Sequence, residues 1–181
     1  AKEYLEKSGV DTSDLTLTVT YMTGMDAYSS ALQLYQVNLK QLGINLELKS
    51  MEWDQQWAMA QNNDPADRQD MFIFIWWPDY PDPSSWFTTL VHSEESVVYN
   101  LSYLNDSDLD ALIDEAVELT VTDRDSAEAN YVDVQKAIAE NAYFLNLYDQ
   151  MRTYAISNDI EGVYESPAYS TAVLYYNVTH K

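Results

Sequence analysis

The segment Trp76-Trp77-Pro78-Asp79-Tyr80-Pro81-Asp82-Pro83-Ser84-Ser85-Trp86 gathers the residues of this chain best suited to chemistry. It sets two carboxylates and a phenol among three indoles, on a turn stiffened by three prolines. A carboxylate between indoles suits a cationic group, through charge pairing and through cation–π attraction. Aromatic walls with a few fixed polar groups also make a small-molecule site. Asp82 stands just before a helical pattern, and helix capping accounts for it. Asp79 precedes Tyr-Pro instead, so capping does not account for it and ligand contact is the better reading. A pair of acids amid tryptophans raises a glycosidase-like enzyme as an alternative, although acid spacing in space cannot be read from sequence.

Other chemistries find less support. The two histidines, His92 and His180, lie far apart and outside any ligand-spaced motif, and there is no cysteine, so no thiolate nucleophile or Cys-based zinc site can form. Asn105-Asp106-Ser107-Asp108-Leu109-Asp110 offers alternate oxygens for calcium, but it lacks the glycine and distal glutamate of an EF-hand, and a helix cap explains it. No Gly-x-Ser-x-Gly elbow occurs, and four glycines in the whole chain leave nothing from which to build a phosphate cradle. The expectation is therefore no catalytic residue, no metal and no cofactor. Three Asn-x-Ser/Thr matches, at Asn100, Asn105 and Asn177, read as coincidence and caps.

The elements that must position this turn follow from patterning. Ala1–Gly9 reads as a short helix stopped by a glycine, and a chain that opens inside an element reads as a piece of something longer. Leu15–Tyr21 alternates apolar residues with Thr as a half-buried strand. A helix is expected over Asp26–Leu42, with Leu32, Tyr35, Leu39 and Leu42 as its stripe and Gly43 closing it. A second strand follows at Ile44–Lys49, then a short helix at Glu52–Gln61. Met71–Trp77 is apolar at every position, which predicts a strand buried on both faces. A short amphipathic piece over Ser84–Leu90 leads to a loop with Tyr99, Asn100 and Tyr103. Two helices follow. One opens at Ser107-Asp108 with Leu109, Leu112, Ile113, Ala116 and Val117 on one face; the other opens at Thr122–Asp125 with Ala127, Tyr131, Val134 and Ile138. Tyr143–Tyr148 reads as another inner strand, with short strands at Thr153–Ile156 and Val173–Tyr176. This order is α/β.

Charge narrows the partners. Nine Lys and Arg against 30 Asp and Glu give −21, which opposes binding to nucleic acid or to an anionic membrane surface. A content of 46% hydrophobic residues is too high for a disordered acidic tail. No apolar run reaches 18 residues, so no membrane-inserted segment is expected. The acidic balance reads as a solvated, soluble surface.

Taken in order, several segments resemble the C-terminal lobe of the family 5 extracellular solute-binding proteins, the receptors of peptide and nickel ABC importers. Ala1–Gly9 resembles the family's Ala-Lys-x-Leu-Leu-x-x-Ala-Gly helix. Leu39-x-x-Leu42-Gly43-Ile44-Asn45-Leu46-Glu47-Leu48, followed by Glu52-Trp53, resembles its helix-then-strand segment. Asp70-Met71-Phe72-Ile73 through Trp76-x-x-Asp79-Tyr80-x-Asp82-Pro83 resembles its central strand and turn, and Asn100 to Asp110 with Leu112-Ile113-x-Glu115-Ala116 its following helix. The resemblance implies one lobe of a type II periplasmic-binding-protein-like fold, with a mixed sheet flanked by helices. It spans 1–181, and residues from about 151 return toward a second lobe. It implies a substrate-binding component of an ABC importer rather than an enzyme: a monomeric, extracytoplasmic, lipid-anchored receptor that captures an oligopeptide or another cationic or neutral solute for permease subunits. Ligand contact is expected through Trp53, Trp76, Trp77, Asp79 and Tyr80. The acid matching Asp79 holds a ligand α-ammonium in peptide-binding relatives, and indoles matching Trp53 and Trp76 line the pocket. Relatives often carry a small or basic residue just before that Trp, where this chain has Ile73 and Ile75. Arg68 is the only basic residue between Trp53 and Leu90, so little is on hand to engage a ligand carboxylate. An oligosaccharide receptor of the same fold, with Trp53, Trp76, Trp77 and Trp86 stacking on sugar rings, is the alternative within the class.

Overall fold

The computed structural model describes residues 1–149, 151, 153–164 and 175–181. Its residues cluster into two compact units, Ala1–Ile75 and Trp76–Lys181. The whole is α/β, as the element order predicts.

The first unit opens with helix α1 (Lys2–Ser8) and then builds a parallel sheet from β1 (Thr16–Met22), β2 (Asn45–Met51) and β3 (Met71–Phe72), in the order β2-β1-β3. Helix α2 (Asp26–Lys40) makes the crossover between β1 and β2, which pair from Thr16↔Asn45 to Met22↔Met51. One face of the sheet packs on α2: Val19, Leu32, Leu39, Ile44 and Leu46 are buried together, with Leu17, Tyr21, Tyr35, Leu42 and Leu48 against them. The alternation of β1 and the stripe of α2 meet here, which is why both were readable. The helix stops at Lys40, two residues before the expected end. Gly43 then takes φ +82, and a Cβ there would lie 2.9 Å from Thr12 Oγ1. That hydroxyl donates to Leu42 O at 3.2 Å.

Helix α3 (Trp53–Ala60) contributes Gln56, which is buried; its amide donates to Ile73 O at 3.0 Å. This contact corrects the expected strand over Met71–Trp77. Only Met71 and Phe72 pair as a strand, Ile73 N–H adds one further bond to Thr20 O at 3.0 Å, and every residue from 71 to 77 is half-buried rather than buried. Among the described residues β3 has a partner on one side only, and a side-chain amide takes the Ile73 carbonyl instead of another strand. An apolar run shows that a segment is shielded, but not that a ladder shields it.

The second unit is mainly helical: α4 (Ser84–Leu90), α5 (Ser107–Thr122) and α6 (Arg124–Glu140), with a small antiparallel pair, β4 (Ile160–Glu161) and β5 (Thr179–His180). Ala116 on α5 and Ala127 and Tyr131 on α6 are buried together, with Phe87 of α4 stacked on Tyr131 at 5.7 Å between ring centroids. The α6 stripe is buried as expected; on α5, Leu109, Ile113 and Ala116 are buried, Leu112 is half-buried and Val117 is exposed. Asp106 rather than Ser107 caps α5, accepting from Asp108 and Leu109 N–H.

Tyr143–Tyr148 is not a strand. It pairs with none among the described residues, Leu145, Leu147 and Tyr148 are exposed, and the Tyr143 hydroxyl is drawn to Asp106 at 3.0 Å. Thr153–Ile156 is likewise exposed and unpaired as a strand. Of the expected strand at 173–176, residues 173 and 174 lie outside the described residues, and Tyr175–Asn177 is a 3-10 turn.

Candidate functional site

The turn between residues 76 and 86 gives its two carboxylates opposite fates. Asp82 is consumed by structure. Its Oδ1 accepts from Ser84 N–H at 2.9 Å and from the Ser84 hydroxyl at 2.6 Å, and its Oδ2 takes Arg124 Nη1 at 2.5 Å from the first residue of α6. Burial alone would push its pKa up, but these hydrogen bonds and the guanidinium charge outweigh it and hold the carboxyl below its usual value. The role of Asp82 is structural, as expected, but it is not the helix cap: Pro83 holds the N-cap position, and Asp82 closes the turn onto Ser84 from one residue earlier and ties it to α6.

Asp79 is held differently. Its backbone N–H donates to the buried Ser85 hydroxyl at 2.8 Å, while its carboxylate is exposed and makes no hydrogen bond or ion pair among the described residues. Tyr80, 48% exposed, exchanges a hydrogen bond with Ser84 Oγ at 3.1 Å. The start of α4 therefore fixes the backbone under Asp79 and the ring of Tyr80 through two neighbouring serines. The prolines limit what remains of the turn's freedom.

Trp76 and Trp77 are half-buried. The Trp76 indole packs its plane at 67° to Tyr99, with centroids 5.6 Å apart, an edge-to-face arrangement. Its Nε1–H is buried and finds no acceptor among the described residues. Tyr99 is the residue that sequence reading placed in a loop and did not connect to this turn. It lies 23 positions further along, and no periodic signal links the two.

Trp53 belongs to the first unit, at the first position of α3. It is half-buried in a chain of rings: Trp53–Trp57 at 5.3 Å, Trp57–Phe74 at 6.5 Å and Phe74–Phe72 at 5.1 Å. Arg68, the one cation of this stretch, donates to Asn62 O at 2.6 Å. The expected site residues thus comprise one aromatic of the first unit and, in the second, two indoles, a phenol and an unpaired carboxylate on one short turn. These residues include no nucleophile–base pair. Among the described residues no group of three or more His, Asp and Glu could hold a metal ion, and no helix is long and apolar enough to cross a membrane.

Comparison with known proteins agrees with the motif order. The family described as bacterial extracellular solute-binding proteins, family 5 (middle region), matches residues 1–97. The chain belongs to this family. Family 5 relatives include the probable D,D-dipeptide-binding periplasmic protein DdpA of Escherichia coli K12, 24% identical over 172 residues, which cover 92% of this chain and 31% of that one. The Escherichia coli murein tripeptide binding protein MppA superposes with a TM-score of 0.74 at 24% identity, over 99% of this chain and 34% of that one. The Bacillus subtilis oligopeptide-binding protein AppA, solved with a nonapeptide, gives 0.73 at 19% identity, over 99% and 36%. At these identities the structural likeness shows the periplasmic-binding-protein fold, and the chain spans about a third of the length of the relatives it matches.

Proposed function

We propose that this chain is one lobe of the substrate-binding component of an ABC importer, and that Asp79 holds the ammonium of a short peptide or of another cationic solute. The carrying observation is the contrast within one turn. Asp82 satisfies its charge with Ser84 and Arg124, whereas Asp79, three residues earlier, is anchored by its backbone and keeps its carboxylate unpaired. An acid whose backbone is fixed and whose charge has no partner is ready to receive one from solution. Trp76, Trp77 and Tyr80 flank it in sequence, and Trp53 is a further ligand contact implied by the family resemblance alone. Arg68 is the only basic residue in sequence between Trp53 and Leu90, and Arg124, which reaches the turn, is engaged by Asp82; both support a ligand whose positive end is read here and whose carboxylate, if it has one, is not.

In this reading the protein binds without covalent chemistry and works outside the cytoplasm, lipid-anchored and monomeric, handing its solute to permease subunits. The family's character as extracellular solute-binding proteins and the peptide-binding relatives support the binding role and the place outside the cytoplasm.

The test is thermal shift on the gene product that carries these 181 residues. The panel comprises short peptides, cationic amino acids and oligosaccharides, each repeated with Asp79→Ala and Asp79→Asn. A charge-assisted hydrogen bond contributes about 1.5–3 kcal/mol, so a peptide or cationic hit should bind ~10- to 150-fold more weakly in either variant. The unliganded melting temperature should stay within about 1 °C, because no contact of the carboxylate is lost. Sugars that shift the melting, with neither substitution mattering, would transfer the site to the tryptophans and defeat the peptide-type reading.

A further inference from the structure

Between α4 and α5 the chain has no regular structure, yet it is closely bonded. The Glu94 carboxylate accepts from three consecutive backbone N–H groups, those of Val98 at 2.6 Å, Tyr99 at 3.0 Å and Asn100 at 3.1 Å. Asn100 has no exposed surface. Its amide NH2 donates to His92 O at 3.1 Å and Leu104 O at 2.8 Å, and its Oδ1 accepts from Leu104 N–H at 3.1 Å. Both donors and one lone pair of that amide are thus used to close a loop across twelve positions. Tyr103, at φ 54, takes the left-handed bend that this closure needs, and Leu101 is buried beside it.

The side chain that this scaffold presents is Tyr99. It is 44% exposed, and its ring stands edge-to-face with Trp76. Loops of this length ordinarily retain freedom at the surface. Here two polar side chains remove that freedom at the position of a half-exposed aromatic, and rigid aromatics with few rotatable bonds lose little entropy when they bind. Core packing does not explain the arrangement, because the ring is not in the core.

We propose that Tyr99 and Trp76 form a corner that receives an apolar or aromatic side chain of the peptide, and that Asn100 and Glu94 are positioning residues that hold Tyr99 in it. This rests on the receptor reading above and adds a specificity element to it.

The test is calorimetric titration of the gene product with Ala-Phe-Ala and with tri-alanine, for wild type, Tyr99→Ala, Tyr99→Phe, Asn100→Ala and the Tyr99→Ala/Asn100→Ala pair. Removal of an aromatic contact should weaken Ala-Phe-Ala binding about 3- to 10-fold in each single alanine variant. Tyr99→Phe should bind as wild type, and the paired variant no worse than Tyr99→Ala alone, because Asn100 acts through that ring. The near-ultraviolet circular dichroism of the tryptophans should change alike in Tyr99→Ala and Asn100→Ala. Loss of a fully buried amide can unfold the loop, so Glu94→Gln provides a milder loosening with a smaller loss in the same direction. Unchanged Ala-Phe-Ala affinity in folded Tyr99→Ala, with Asp79→Asn still weakening binding tenfold or more, overturns this inference alone. Failure of the wild type to bind either peptide overturns this inference; the receptor reading falls with it only when the other peptides and the cationic amino acids of the thermal-shift panel fail as well.

Discussion

Removing the Asp82 carboxylate should cost this protein stability and leave its ligand affinity alone. Asp82→Ala deprives the Ser84 N–H of its acceptor at 2.9 Å and the Ser84 hydroxyl of one at 2.6 Å, on a residue only 6% exposed. Leaving such groups unsatisfied costs about 1–3 kcal/mol. The Arg124 pair adds less, about 0–1 kcal/mol, because the guanidinium is 46% exposed and water screens it. The total is about 1–4 kcal/mol, which for a chain of this size lowers the melting temperature by roughly 2–16 °C. Asp82→Asn keeps an oxygen for the Ser84 N–H and hydroxyl but turns a donor, its NH2, toward Arg124 and so loses that ion pair, so it should lose about 0.5–1.5 kcal/mol. Differential scanning calorimetry at pH 7 measures both, and titration below the melting range should find unchanged affinity. A melting temperature for Asp82→Ala within 1 °C of wild type would refute the anchoring role. So would an Asn variant as damaged as the Ala one, since the turn would then depend on charge alone.

Acid should weaken the fold in a defined window. Asp82, Asp106 and Asp123 all have carboxyls held below their usual value: Asp82 by bonds that outweigh burial, Asp106 chiefly by Leu109 N–H, and Asp123 chiefly by the Ser126 hydroxyl. A folded-state pKa below the unfolded value of 3.8 gives stability that is complete above 3.8 and disappears as pH falls through the folded value. Urea midpoints should therefore hold from pH 7 to about 5 and drop below about 4, and Asp106→Asn/Asp123→Asn should flatten that drop; a wild-type midpoint level down to pH 2.5 would contradict it. Gly43→Ala should destabilise by about 1–3 kcal/mol, through its positive φ and the 2.9 Å approach to Thr12 Oγ1. Gly24→Ala, at φ +81 in open space, should show the backbone part alone, about 1 kcal/mol in chemical denaturation; equal losses would mean that the Thr12 contact relaxes freely. Ala127→Leu should overpack the seam with Ala116 and Tyr131 and cost about 1–3 kcal/mol by the same assay.

Elements whose pattern and partners lie close together in sequence were legible beforehand. The alternation of β1, the stripe of α2 and the four core positions of α6 each record a local period that one packed face explains. The misreadings have a common physical cause. Met71–Trp77 is apolar throughout and Tyr143–Tyr148 is apolar but for Asn146, neither with a period, and the fate of such a run depends on which distant group takes its backbone bonds. For the first, that group is the Gln56 amide, 17 positions from the Ile73 carbonyl it reaches. The candidate site divides in the same way. Asp79, the tryptophans and Tyr80 stood out because prolines and aromatics crowd one turn. The Arg124 tie to Asp82 spans 42 positions and the Tyr99 ring meets Trp76 from another loop, so neither leaves a mark in the sequence around the turn. Glu94 was equally hidden, since a carboxylate gathering backbone N–H groups looks like any surface acid.

Asp123 ends one long helix and caps the next, its N–H donating to Leu119 O at 2.8 Å while its side chain accepts from Ser126. Sixteen residues on one side and seventeen on the other are thus joined through a single residue. Closing a loop so short costs almost no chain entropy, and the contacts it brings together are near neighbours in sequence. The α5–α6 pair is therefore the natural seed from which the second unit assembles, and the place where an inserted residue would be least tolerated. One aspartate sets the register of one helix against the other, and a one-residue slip would take Ala116 and Ala127 out of the seam where only small side chains fit.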